Sequence, residues 1–161
     1  MERTIDIGNE VIIWAGTFDQ VRTQLKTARE KERRKKIGVM GFDDVLNRKI
    51  LEKEKIDFFI PLLKGRKDKQ KQRNSGFNHV MARLAKKNGT VIGILLDEII
   101  NSSSKNKTEI LSRVQQNVKL CVKNKVQMKF ISIQKEYKRD LYDLKALGIV
   151  LGMPTSMVKN L

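Results

Sequence analysis

The sequence predicts an α/β fold made of repeated βα units around a parallel sheet. Short apolar runs alternate with longer segments of helical period, which is the pattern of strand, helix and returning strand. Most of the short runs are apolar throughout, as strands covered on both faces must be. The 161 residues include 10 Gly and 2 Pro but no Gly- or Pro-rich linker and no internal repeat, so a single domain is expected over 1–161. A chain of this length buries roughly 70% of the surface exposed by its unfolded form, enough for a real core.

Five strands are expected: "VIIWA" (Val11 to Ala15), "IGVM" (Ile37 to Met40), "IDFFIPLL" (Ile56 to Leu63), "VIGILL" (Val91 to Leu96) and "MKFISI" (Met128 to Ile133). Pro61 cannot donate to a ladder, so the third strand should be interrupted or lie at an edge. The first helix opens on the capping box "TFDQ", Thr17 to Gln20, and buries Phe18, Val21, Leu25 and Ala28. Asp43 and Asp44 follow Gly41 and suit the start of a second helix and its dipole. Ser75 is the expected cap of a third helix over Gly76 to Lys87, stopped by Asn88-Gly89. Phe77, Val80, Met81, Leu84 and Ala85 fall on its core face. From Lys107 to Lys125 the stripe is Ile110, Leu111, Val114, Val118, Cys121 and Val122, and from Arg139 it is Leu141, Leu144, Leu147 and Leu151.

Charge sets the functional class. Lys and Arg number 34 against 18 Asp and Glu, a formal +16, and self-repulsion on that scale points to a polyanionic partner. Nucleic acid fits better than a membrane surface, because basic membrane helices set bulky aromatics opposite their charges and aromatics here are 6%. The single cysteine, Cys121, sits in a helical stripe and cannot form an internal disulfide, which suits a reducing compartment and a core residue. "MERTIDIGNE" lacks a signal-peptide stretch and no apolar run is long enough to span a bilayer. A cytoplasmic location is expected, or a nuclear one in a nucleated cell.

The charge is concentrated. "KGRKDKQKQR", Lys64 to Arg73, places six cations against one Asp just before the third helix. His79, Arg83 and Lys86 project from that helix opposite its core face. Lys64, Arg66, Arg73, His79, Arg83 and Lys86 therefore form a candidate phosphate-binding surface. "QKEYKR" also leaves a strand, and in parallel α/β folds such segments share one rim.

Most enzyme classes find no support. One histidine in the whole chain is too few for the His-rich metal clusters of barrel phosphoesterases. The chain has no "GxSxG" elbow, no "GxxxxGK[ST]" loop and no "GxGxxG" turn. The rival reading is a metal-dependent phosphoesterase or nuclease using Asp97 and Glu98, at the end of a strand, with His79. A third is a general RNA-binding accessory protein.

The run "RNSGFNHVMARLAKKNGTVIGI", then a polar linker, a long helix, "KFISI" and "RDLYDLKALGIVLGM", resembles the ribonuclease P protein component 3 family of archaea and eukaryotes. The likeness runs from about Ile37 to Met153. It implies a TIM-barrel-like fold, and with only five units a reduced or incomplete barrel. It implies a subunit that is not itself the catalyst. The ribonuclease P RNA would hold Mg2+ and cut precursor tRNA, with no cofactor on the protein. A small ferredoxin-like protein subunit would complete a heterodimer or heterotetramer. By the same resemblance Arg73, His79, Lys123 and Arg139 are RNA-binding positions, and no residue is catalytic or metal-binding.

Overall fold

The computed structural model describes residues 4–161; Met1 to Arg3, the start of the stretch read for a signal peptide, lie outside the described residues. An element the sequence did not announce comes first. β1 (Thr4–Ile7) and β2 (Glu10–Trp14) form an antiparallel hairpin across Gly8 and Asn9. Gly8 sits at φ 67, the left-handed conformation that the first central residue of this turn requires. After it come α1 (Phe18–Lys31), β3 (Lys36–Gly41), α2 (Asp44–Lys53), β4 (Phe58–Pro61), α3 (His79–Asn88), β5 (Val91–Leu95) and α4 (Leu96–Ile100). α5 (Ser104–Asn124), β6 (Met128–Ile131), a 3-10 turn (Lys135–Tyr137), α6 (Leu141–Val150) and α7 (Thr155–Val158) complete the chain.

The sheet order follows the chain, β1 to β6, and β2 through β6 are parallel. The five expected strands are therefore present, joined by the antiparallel β1. Each parallel strand alternates between two largely apolar faces. Val11, Ile13, Val39, Phe59, Ile92 and Ile94 face the helices and form the larger core with Val21, Leu25, Met81, Val114 and Val118. Ile12, Met40, Phe58, Ile60, Leu95 and Ile131 face the other way and form a second cluster on the concave side. The sheet curls far enough for Lys129 of β6 to pair with Glu10 of β2, its ammonium 3.8 Å from the ring centroid of Phe58. The result is a half-barrel, the reduced form of the expected architecture.

Curling brings side chains on the concave face together, and glycine makes room for them. A Cβ at Gly38 would overlap the ring of Phe58, and one at Gly93 would press on Ile131 and Ile60. Gly38→Ala is expected to cost about 1 to 3 kcal/mol by overpacking, read as a lower urea midpoint with an unchanged slope. An unchanged midpoint would show that the ring can move aside.

Several local expectations need correction. Pro61 lies in a central strand, not at an edge; its missing N–H is accommodated because pairing with β5 stops at Phe59 opposite Ile92. α3 begins three residues later than expected. Asn78 caps it by accepting from the Met81 amide at 3.0 Å, while the buried Ser75 hydroxyl donates to the Phe77 carbonyl. The stop is as read, with Gly89 in the left-handed conformation at φ 68. Val122 and Leu141, both placed in core stripes, are 38% and 45% exposed. Asp140 is the N-cap of α6, directly after Arg139. Thr17 and Gln20 form the capping box, and Asp43 caps α2. Burial pushes the Cys121 thiol up to about 12, so it is a core group and not a nucleophile.

Candidate nucleic-acid interface

The basic loop between β4 and α3 is not a free charge run. Its one acid, Asp68, accepts from the Asn74 amide at 2.9 Å, from Arg73 Nη1 at 3.0 Å and from Arg113 Nη2 at 3.0 Å. Arg113 comes from α5 and its side chain is buried. It also donates to the carbonyls of Leu63 (3.1 Å) and Arg66 (2.8 Å). One planar guanidinium thus ties the start of the loop to its middle, a task suited to a rigid fork of donors. Gln116, one turn on, donates to the Arg73 carbonyl at 3.2 Å.

These bonds bring Arg73 and His79 together. Both line one recess of about 140 Å³ with Lys69, Asn78, Gln116 and Leu120. His79, Arg83 and Lys86 are exposed on α3, spaced to share one side of the helix. On α5, Gln116, Leu120 and Lys123 are separated by four and three residues, so the exposed Lys123 extends the recess along that helix. Lys64 is exposed at the end of β4, where its amide donates to Glu98 at 3.0 Å.

Two of the expected residues lie elsewhere. Arg66 is 6% exposed and belongs to the scaffold: it pairs with Asp44 at 2.7 Å, donates to the carbonyls of Leu62 and Phe42, and stands over the Phe42 ring. Four of its five N–H donors are engaged by local acceptors and the group is buried, so it is not presented to a phosphate. Gly76, at φ 65, is where this side chain passes, and a Cβ there would strike it. Arg139 is exposed but lies beyond β6, donating to the carbonyls of Glu136 and Lys138 in a second cleft.

The carboxylates of the rival nuclease reading are engaged as loop anchors. Asp97 accepts from the amides of Ile133 and Gln134, both at 3.0 Å, and Glu98 from those of Leu63 and Lys64. Burial raises the Glu98 carboxyl above its ordinary value despite those amides and nearby Arg66 and Lys64. Through these two residues α4 pins the segments that leave β4 and β6. Among the described residues no group of three His, Cys, Asp or Glu is placed to hold a metal ion.

The loop should have an acid limit. The Asn74 amide, then Arg113 and Arg73, hold Asp68 below its ordinary 3.8. A depressed folded-state value means that its contribution is present above 3.8 and is lost as pH falls through the folded value. The Asn74 amide resonance should therefore stay unchanged from neutral pH down to the carboxylate range and shift only below it. A transition near neutrality would contradict the Asp68 anchor.

Arg113, Asp68 and Gln116 were missed from sequence. A signal existed for the first: Arg113 and Asn117 occupy the same helical stripe as Ile110, Val114 and Cys121, and both are buried. A charged residue at a core position needs partners, but the sequence does not name them.

Fold and site together define an α/β half-barrel with a braced cationic face, a class suited to binding structured nucleic acid. Comparison with known proteins narrows the class. The chain is 32% identical over 118 residues to ribonuclease P protein component 3 of Thermococcus kodakarensis, covering 71% of this chain and 50% of that protein. It is 30% identical over 90 residues to the protein of the same name from Methanosarcina acetivorans, covering 56% of this chain and 35% of that one. A chain in a cryo-EM structure of archaeal ribonuclease P with mature tRNA superposes with a TM-score of 0.76 at 26% identity, over 93% of this chain and 62% of its own length. No protein-family model matches. The chain is a homologue of ribonuclease P protein component 3, and it spans about half or less of the length of these curated relatives.

Proposed function

We propose that the chain serves as a protein subunit of ribonuclease P, binding the catalytic RNA and supporting 5′-end maturation of precursor tRNA. The observation that carries this is the recess where Arg73 and His79 meet beside α5, on a chain homologous to component 3. Exposed cations on α3 and α5 neutralise closely packed phosphates, so the folded RNA persists at lower Mg2+. With few aromatics, recognition relies on shape, phosphates and 2′-hydroxyls rather than base stacking. In this reading Mg2+ and phosphodiester hydrolysis belong to the RNA, and the isolated chain is not catalytic. A small ferredoxin-like subunit is its protein partner. Among the described residues no helix is long and apolar enough to cross a membrane, and the proposed place of action is the compartment of tRNA processing, the cytoplasm in an archaeal cell.

Reconstituting precursor tRNA cleavage from the cognate RNA and protein subunits tests the proposal. Leaving this chain out should raise the Mg2+ needed for half-maximal rate. An unchanged requirement would overturn it.

A further inference from the structure

Among the described residues the sheet ends at β1 and at β6. There β6 pairs with β5 alone, where the Ile92 amide donates to the Gln127 carbonyl. In a parallel ladder that bond sets the alternation: Lys129 and Ile131 turn their amides and carbonyls toward β5, and Met128, Phe130 and Ser132 turn theirs away. Among the described residues no backbone group pairs with that outward row. Natural edges are commonly blunted by proline, a bulge or a covering element, and "MKFIS" has no proline.

Beside this edge lies a cleft of about 480 Å³, walled by Leu96, Phe130 and Leu144 and bounded across the gap by the β1–β2 turn at Gly8. Lys135, Lys138 and Arg139 line it too, and among the described residues none of them forms an ion pair, whereas the two carboxylates that line it, Asp6 and Glu10, are already paired with Lys35 and Lys129. We propose that this cleft receives an extended acidic segment of another protein, which adds to β6 as a further strand.

Three features select that occupant. Outward donors and acceptors recur at every second residue, about 6.6 Å apart, which is the repeat of an extended peptide. The apolar wall of Leu96, Phe130 and Leu144 suits alternating aliphatic side chains and gives a phosphate backbone nothing to bind. Three unpaired cations attract carboxylates, and they repel a second copy of a chain carrying +16.

The probe is a fluorescent peptide of about ten residues that alternates Val with Glu, titrated into the full chain. Binding should protect the Phe130 and Ser132 amides from hydrogen exchange. N-methylation of the alternate residues that face β6 should weaken it by about tenfold or more, while methylation of the other set should not. A K135E/K138E variant should bind it at least about tenfold more weakly and keep the parent affinity for ribonuclease P RNA. Equal effects of the two methylated sets would reduce the contact to charge alone and overturn the proposal. So would Phe130 and Ser132 amides already protected in the free chain, self-association that protects them, or protection by structured RNA in place of the peptide. The Mg2+ experiment does not depend on any of these outcomes.

Discussion

Arg113→Met is expected to release the basic loop and to lower folding stability by about 2 to 4 kcal/mol. The aliphatic part of the side chain is replaced, but the carbonyls of Leu63 and Arg66 lose their donors, and Asp68 loses one of its two guanidinium partners. Unsatisfied carbonyls in a buried place cost more than the net value of the bonds that served them. Arg113→Lys should recover little, because one ammonium cannot reach three acceptors with the geometry of a planar fork. Urea unfolding gives the stability, and RNA binding gives the functional consequence: without the brace Arg73 is no longer held beside His79, so affinity falls although no exposed cation has been removed. A variant within about 0.5 kcal/mol of the parent, with unchanged RNA affinity, would refute the role given to Arg113.

The second large effect is expected from joint replacement of Arg73, His79 and Lys123 by Ala. All three are exposed, so the fold should change by no more than about 0.5 kcal/mol for His79 and Lys123 and by up to about 1 kcal/mol for loss of the Arg73–Asp68 pair. RNA binding should respond differently. Two permanent cations are lost, and the log–log slope of affinity against salt should fall by about 1.4 to 1.8. Arg66→Ala is the informative contrast. It removes a buried guanidinium bonded to Leu62, Phe42, Asp44 and Asn74, so it should lower stability by about 2 to 4 kcal/mol and leave the slope of the surviving folded protein near that of the parent. If the triple variant kept the full slope, the phosphates would be contacted by other exposed cations, and Arg83 and Lys86 on α3 would be the first to test.

The sequence marked the cationic face of the candidate interface and little of its internal structure. The density of cations between Lys64 and Arg73 was visible, as was the helical spacing that turns His79, Arg83 and Lys86 outward. The division of labour within the loop was not. Arg66 and Arg73 lie seven residues apart in the same basic run, yet one is buried against the Phe42 ring and the other is exposed on the recess. The single acid in the loop looked like a dilution of its charge and is the point on which Arg73, Asn74 and Arg113 converge. Asp97 and Glu98 looked available to a metal because the amides that occupy them belong to residues 34 to 37 positions away.

Periodicity determined the five parallel strands and the core faces of the helices between them, and composition the excess of positive charge that makes a polyanion the natural partner. These follow from local rules, since a side chain's direction repeats every two residues in a strand and every 3.6 in a helix whatever the rest of the chain does. Tertiary structure alone decided that the sheet curls into a half-barrel begun by an antiparallel β1, that Arg66 and Arg113 are buried while Arg73 is not, and that β6 is an edge strand among the described residues. Each of these depends on contacts between residues far apart in the chain, Glu10 with Lys129 or Asp68 with Arg113. Such pairs are settled by shape and by the cost of leaving a buried donor or acceptor alone.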